Sequence, residues 1–371
     1  MSIECDRVKG IDLSQGVCDL GLPLAVKNGA KEALDKGLNQ YTRYDGIDEL
    51  RRSIAKKMKR FNNIQAHPDE NIIVSCGATG AFYSACLALL NPGDEVIFFE
   101  PYYGYHINTL LAVGAKPVFV RLIPPDWGFD LSDLKKIITN KTKGIMINTP
   151  ANPSGKVFSQ RELEDIADLA LQHDLFVFTD EIYEYFIYDG LKHISPGSLP
   201  EIKDRTITIS GYSKTFSITG WRVGYCVCDE KWAEMIGYIN DLIYVCAPAP
   251  LQFGVFKGIE LLNDRFYSGI CREYLSKRDK ICRALNSAGL RPYVPKGAYY
   301  VLVDASTLPG KTSKDKAMSL LKKTHIASVP GEAFYHDHSG KNILRFCFAK
   351  KDDALDEVCK RLTKCKKDWA V

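Results

Sequence analysis

The sequence predicts an α/β protein: a larger domain with a mostly parallel sheet covered by helices, and a smaller α+β domain. Three observations carry this. Short runs that are apolar throughout recur between longer amphipathic stretches, the pattern of strands buried on both faces. Polar, glycine-containing clusters follow those runs, where open parallel sheets place their ligand sites. Past about residue 250 the alternation gives way to a long charged helical stretch and further strands. The chain has 371 residues, 46% of them hydrophobic, which is too long for one simple core. The expected division is a large domain over 39–270 and a small one built from 1–38 and 271–371.

The elements follow in order. Ile72-Ile73-Val74-Ser75-Cys76 reads as a buried strand, and Gly77-Ala78-Thr79-Gly80 opens an apolar helical run to Leu90. Asn91-Pro92-Gly93-Asp94 is turn chemistry. Strands are expected at 96–99, 117–120 and 144–148, with a helix near 131–138. Ser159 and Glu162 form a capping box, and Leu163, Ile166, Ala167 and Ala170 keep helical spacing after it. Further strands follow at 175–178, 206–209 and 223–227. A helix is expected from roughly Tyr267 to Ser287, then strands at 299–303 and 343–348. A lysine-rich amphipathic helix closes the chain, its basic end read as solvated and favoured by the helix dipole.

Composition excludes several classes. The 49 basic and 45 acidic residues leave +4, which gives no reason to expect a nucleic-acid or anionic-membrane partner. No apolar stretch approaches the ~20 residues of a membrane span, and residues 1–10 hold no signal-peptide core. The twelve cysteines include no Cys-x-x-Cys pair. They read as reduced core residues of a cytoplasmic protein rather than a disulfide scaffold. The run His336-Asp337-His338 lacks spaced partner ligands and reads as a polar loop, so no metal is expected.

The segment Ser210-Gly211-Tyr212-Ser213-Lys214-Thr215-Phe216-Ser217-Ile218-Thr219-Gly220-Trp221-Arg222 is the most informative. A lysine in a pocket can lose its proton and condense with an aldehyde. An arginine offers a planar fork for a phosphate. Alone, such a pair is a common surface feature. Its company of Gly, Ser and Thr after a strand raises the functional reading.

With this run the chain resembles the class I/II aminotransferases of pyridoxal-phosphate fold type I, over nearly its whole length. The resemblance implies pyridoxal 5'-phosphate as cofactor, carried by Lys214, with Arg222 on its phosphate. Asp180-Glu181-Ile182-Tyr183 ends a strand. As plain structure Asp180 would be a helix cap. The resemblance implies Asp180 on the ring nitrogen and Tyr183 on the phenolic oxygen. In Asn152-Pro153-Ser154-Gly155 it implies Asn152 on the same oxygen, and Asn152–Pro153 is a candidate cis bond. Ala78 and Thr79 would cradle the phosphate from a helix start. Tyr103 would stack on the ring, with His106 behind Asp180. Tyr41 would reach the phosphate of a neighbouring subunit, which implies a homodimer with shared active sites.

Two residues are implied for the substrate. Leu344-Arg345-Phe346 puts an arginine in an apolar strand, and a buried guanidinium needs an anion. Either a structural carboxylate or a ligand would serve; the resemblance implies the substrate's α-carboxylate. Gly16 would contact the same group through its backbone. One departure stands out: the family often has a serine three positions before the lysine, and here that residue is Gly211, with Ser213 as the candidate replacement.

The activity so implied is amino transfer between an L-amino acid and a 2-oxo acid, with ping-pong kinetics and Lys214 as general acid and base. The amino acid is expected to be aromatic, aspartate or drawn from a broad range. A C–S lyase or decarboxylase of the same fold is the alternative. A non-catalytic cofactor-binding regulator is a third, disfavoured because the lysine, aspartate, asparagine and both arginines are all present.

Overall fold

The computed structural model describes residues 1–365 and 369. Its centre is a seven-stranded sheet. The spatial order is Ile72–Ser75, Gly224–Val227, Thr206–Gly211, Phe176–Asp180, Thr142–Asn148, Glu95–Glu100 and Lys116–Arg121. Neighbouring strands are parallel except at Gly224–Val227, which runs antiparallel to both of its neighbours.

Alternation of side chains splits each strand between two apolar layers. Ile97, Ile145 and Val177 face one way, against Leu163, Ile166 and Ala170 of helix Gln160–Gln172. Phe98, Met146 and Phe178 face the other, against Phe82 and Ala85 of helix Gly77–Leu89. Burial on both faces explains the uninterrupted apolar runs. The capping box forms as expected: Ser159 N–H donates to Glu162 Oε2 at 2.8 Å, and Glu162 N–H to Ser159 Oγ at 3.3 Å.

A second, four-stranded antiparallel sheet is ordered Val329–Pro330, Ile343–Cys347, Tyr300–Asp304 and Arg291–Tyr293. Helices Asp264–Ser287 and Asp352–Lys364 pack on one another beside it. The long helix starts three residues earlier than its apolar spacing indicates, because Asn263 caps it through the Arg265 N–H. The N-terminal strand Ile11–Asp12 pairs in parallel with Ile326–Ala327. Helix Leu24–Asp35 lies instead along helix Ala249–Leu261. The basic end of the chain, residues 366–368, lies outside the described residues. No described helix is long and apolar enough to cross a membrane.

Candidate active site

The ends of the parallel strands deliver the chemistry. Asp180 and Asn148 are the last residues of adjacent strands and pair with each other in register. Helix Gly77–Leu89 starts directly after the strand Ile72–Ser75. Between them opens a cavity of about 380 Å³. Its walls include Ala78, Thr79, Tyr103, Asn152, Asp180, Tyr183, Ser213, Lys214 and Arg222, nine of the residues singled out from the sequence.

Lys214 follows the strand Thr206–Gly211. Its Nζ donates to the Gly16 carbonyl at 3.3 Å and makes no ion pair among the described residues. Burial holds its ammonium below the ordinary lysine value of 10.5, partly countered by Cys347 and Asp180. A half-buried ammonium without an ion pair gives up its proton more readily than a free lysine, which suits it to act as an amine.

One wall is an anion cradle. Helix Gly77–Leu89 has no side-chain cap at Cys76, so its first N–H groups stay open. Arg222 sits at the mouth in the left-handed region, φ 55°, and donates to the Thr219 carbonyl at 2.9 Å. Its guanidinium lies over Gly77, where a Cβ would come within 2.4 Å of Nη2. Gly224 matters for the same reason: a Cβ there would approach Ala78 N to 2.4 Å.

The opposite wall orients a carboxylate. Asp180 Oδ2 lies 2.9 Å from His106 Nε2, and Oδ1 accepts from the Ile182 N–H at 3.1 Å. Phe82 packs edge-on against the His106 ring at 5.1 Å. Tyr103 presents a ring beside them, stacked on Tyr105 at 5.2 Å; burial raises its phenol well above the ordinary range.

Arg345 does not line the cavity but reaches its wall from the small sheet through Asn152. It is buried, donates to Asn152 Oδ1 at 2.8 Å and to the Ser14 carbonyl at 2.7 Å, and leaves Nε without a partner. No carboxylate pairs with it among the described residues, so of the two readings of this arginine the geometry favours an external anion. Gly16 is packed so tightly that a Cβ would reach 2.0 Å from the Tyr300 hydroxyl. Asn152–Pro153 is cis. Tyr41 is 82% exposed and lines a separate hollow with Leu38 and Phe253; one chain alone does not bring it to the cavity.

The Gly211 departure has a steric basis. Gly211 pairs with Gly224 across the antiparallel strands, and a Cβ at 211 would lie 3.0 Å from the Gly224 Cα. Two residues not picked out in the sequence also build the site. Asn148 accepts from the Asn152 N–H at 2.7 Å and donates to the Asp180 carbonyl at 3.0 Å. Tyr300 bonds Tyr183 at 2.9 Å. The strand-end position of Asn148 was a usable signal; Tyr300 had none.

Among the described residues two carboxylate–histidine clusters have ligand-like spacing, Glu100–His336–Asp337 and Glu181–Glu184–His193. Arg121 Nη2 donates to both Glu100 and Asp337, at 3.0 and 2.9 Å. The second cluster is occupied by Lys57, Asn62, Ser195 and Ser210 as donors. Protein cations and amides therefore already satisfy the oxygens a metal would use.

A half-buried lysine without an ion pair, an uncapped helix start and Arg222 lie around one α/β cavity, with Arg345 bonded to its wall through Asn152. Comparison with known proteins makes this specific: residues 8–362 match the family described as aminotransferase class I and II, and the chain belongs to it. It is 37% identical over 358 residues to an aspartate aminotransferase of Pyrococcus abyssi, covering 95% of this chain and 91% of that one. It is 34% identical to kynurenine–oxoglutarate transaminase 3 of Rattus norvegicus, covering 93% and 83%. The solved structure of an aromatic aminotransferase from Pyrococcus horikoshii OT3 superposes with a TM-score of 0.91 at 35% identity, covering 99% of this chain and 98% of that one.

Proposed function

We propose that this aminotransferase uses pyridoxal 5'-phosphate and moves the amino group of an aromatic or similarly apolar L-amino acid to a 2-oxo acid by ping-pong kinetics. The observation that carries the reading is Lys214, half-buried and without an ion pair between the uncapped helix start and Asp180. The residues suit the cofactor. Ala78, Thr79, Ser213 and Arg222 would hold its phosphate, Asp180 its ring nitrogen, Tyr183 and Asn152 its phenolic oxygen, and Tyr103 its ring face. When bound, the cofactor supplies an electron sink for the carbanion left at the substrate Cα.

The chain's own groups do the rest. Arg345, with its unspent Nε, and the Gly16 backbone would fix the α-carboxylate. That would hold the Cα towards Lys214, whose neutral amine would take the α-proton and hand it on to the cofactor rather than back to the Cα. Asp180, held by His106 and the Ile182 N–H, would keep a proton on the cofactor's ring nitrogen. Lys214 and Arg222 are the only lysine and arginine lining the cavity among the described residues, and both have other tasks. Tyr103 and Tyr105 stack at its wall. This supports an aromatic or apolar side chain over a second carboxylate.

The domain division at 38–39 and 270–271 is part of the same proposal, with helix Leu24–Asp35 packing across it. So is a homodimer, in which the exposed Tyr41 would serve the partner's phosphate site. Of the twelve cysteines, the eleven from Cys5 to Cys359 are free thiols, which supports a reducing, cytoplasmic setting.

The test is a panel of amino donors against 2-oxoglutarate, oxaloacetate and pyruvate, with absorbance followed near ~400 nm. Aromatic donors should turn over, with parallel double-reciprocal lines. Full turnover by a Lys214→Ala protein would remove the mechanism. Ammonia or pyruvate release without an acceptor would favour the lyase reading instead.

A further inference from the structure

Tyr300 stands where the two halves of the proposed site meet. Its ring lies beneath the Arg345 guanidinium, 4.5 Å from Cζ to ring centroid, and its hydroxyl is 2.9 Å from that of Tyr183. The contact follows from sheet register. Leu302 is the cross-strand partner of Arg345, so Tyr300 is its diagonal neighbour on the same face. Both phenols are buried. The hydroxyl cannot swing, because Gly16 packs against it so closely that a Cβ there would come within 2.0 Å.

We propose that Tyr300 is a positioning residue that couples the carboxylate-binding arginine to Tyr183, its ring holding the guanidinium and its hydroxyl directing Tyr183's proton. Burial pushes Tyr300 up to about 12, while Arg345 pulls it back. Burial also holds Tyr183 well above the ordinary range, and Tyr300 raises it further. Both phenols therefore keep their protons, and the bond between them fixes where each proton points. A carboxylate arriving on Arg345 offsets the charge behind Tyr300 and alters that bond, so occupancy of one half of the site is felt in the other.

The inference rests on the reading of Tyr183 and Arg345 given above, and two variants separate its parts. Tyr300→Phe keeps the ring and deletes the hydroxyl. Tyr300→Leu deletes both. Binding of 3-phenylpropionate, an unreactive carboxylate, is measured alongside the cofactor's visible band at fixed pH and the split of kcat from KM.

Tyr300→Phe should bind the probe within about twofold of wild type, with an altered band and kcat lower by roughly 3- to 10-fold, the scale of one buried hydrogen bond. Tyr300→Leu should in addition weaken the probe and raise KM by roughly 3- to 30-fold, the scale of a desolvated cation–π contact. The proposal is overturned if Tyr300→Phe leaves band and kcat at wild-type values, or loosens the probe as much as Tyr300→Leu. If the leucine protein fails to fold, the phenylalanine protein alone decides the role of the hydroxyl. Wild-type protein that shows no cofactor band would instead overturn the site reading itself.

Discussion

Arg345 Nη1 donates to Asn152 Oδ1 at 2.8 Å, joining the small antiparallel sheet to the loop after strand Thr142–Asn148. The pair connects residues 193 positions apart, and no carboxylate is involved. A guanidinium stacked on Tyr300, bonded to two neutral oxygens and left with a buried free Nε, is held in place without being neutralised. Arg345→Lys keeps the charge but loses the planar fork. We expect it to raise KM for the amino donor by about 10²-fold with a smaller effect on kcat, since the lost contact binds ground state and transition state alike. Initial rates against one good donor check this; an unchanged KM would place the α-carboxylate elsewhere.

Lys214 gives a prediction about stability in the protein without cofactor. Burial lowers its pKa below 10.5, so the folded chain holds this proton less tightly than the unfolded chain. Between the folded value and 10.5 the unfolded state binds more protons, and Lys214's contribution to stability therefore rises with pH in that window. Lys214→Met removes the half-buried charge at similar volume. Its Tm should exceed that of wild type at neutral pH by roughly a few degrees, and the gap should narrow as pH approaches 10.5. Calorimetry of both cofactor-free proteins at pH 7 and pH 10 measures the two gaps. A gap that widens with pH would show that Lys214 is not held against its charge.

The cavity was largely legible in the chain because its residues sit at strand ends. Asp180, Asn152 and Lys214 each follow an apolar run, and one sheet edge necessarily gathers them. The glycines at 77 and 224 were legible only as turn or strand residues; their role comes from a helix start pressed on a neighbouring strand. The antiparallel course of Gly224–Val227 was not legible, since a strand buried on both faces reads the same in either direction. Tyr300 was indistinguishable from the core tyrosine beside it: Tyr299 turns its hydroxyl to the Gly16 carbonyl, and Tyr300 to Tyr183. Only the register of the small sheet separates the two.

The Lys57–Glu184 pair, 127 residues apart, lies wholly inside the fold, each side chain 2% exposed and the two joined at 2.6 Å. Breaking such a pair strands a buried charge. Lys57→Met should destabilise the protein by about 3–5 kcal/mol. Lys57→Met combined with Glu184→Leu should recover much of that, because no charge is then left alone. Thermal unfolding of the two variants beside wild type is the measurement, and a double variant no better than the single one would point to the hydrogen bonds from Asn62 and Ser210 as the larger contribution.

Gly211 offers the sharpest conflict between family pattern and local packing. Restoring the frequent serine would add a Cβ 3.0 Å from the Gly224 Cα, 3.2 Å from the Val223 carbonyl oxygen and 3.4 Å from Ile182 Cδ1. The first is a backbone atom of the paired strand and the second belongs to the residue just before it, and that strand cannot yield, because Gly224 is itself pressed on Ala78 at the start of the cradle helix. Strain at 211 would therefore reach the phosphate cradle. We expect Gly211→Ser to cost about 1–3 kcal/mol of stability, on the scale of an overpacked core. It should also weaken cofactor binding despite the added hydroxyl. Gly211→Ala separates the two effects: if volume is the cause, alanine and serine lose stability and cofactor affinity alike. Cofactor titration and Tm of both variants settle it, and a serine variant that binds the cofactor more tightly than wild type would mean that the strand does give way.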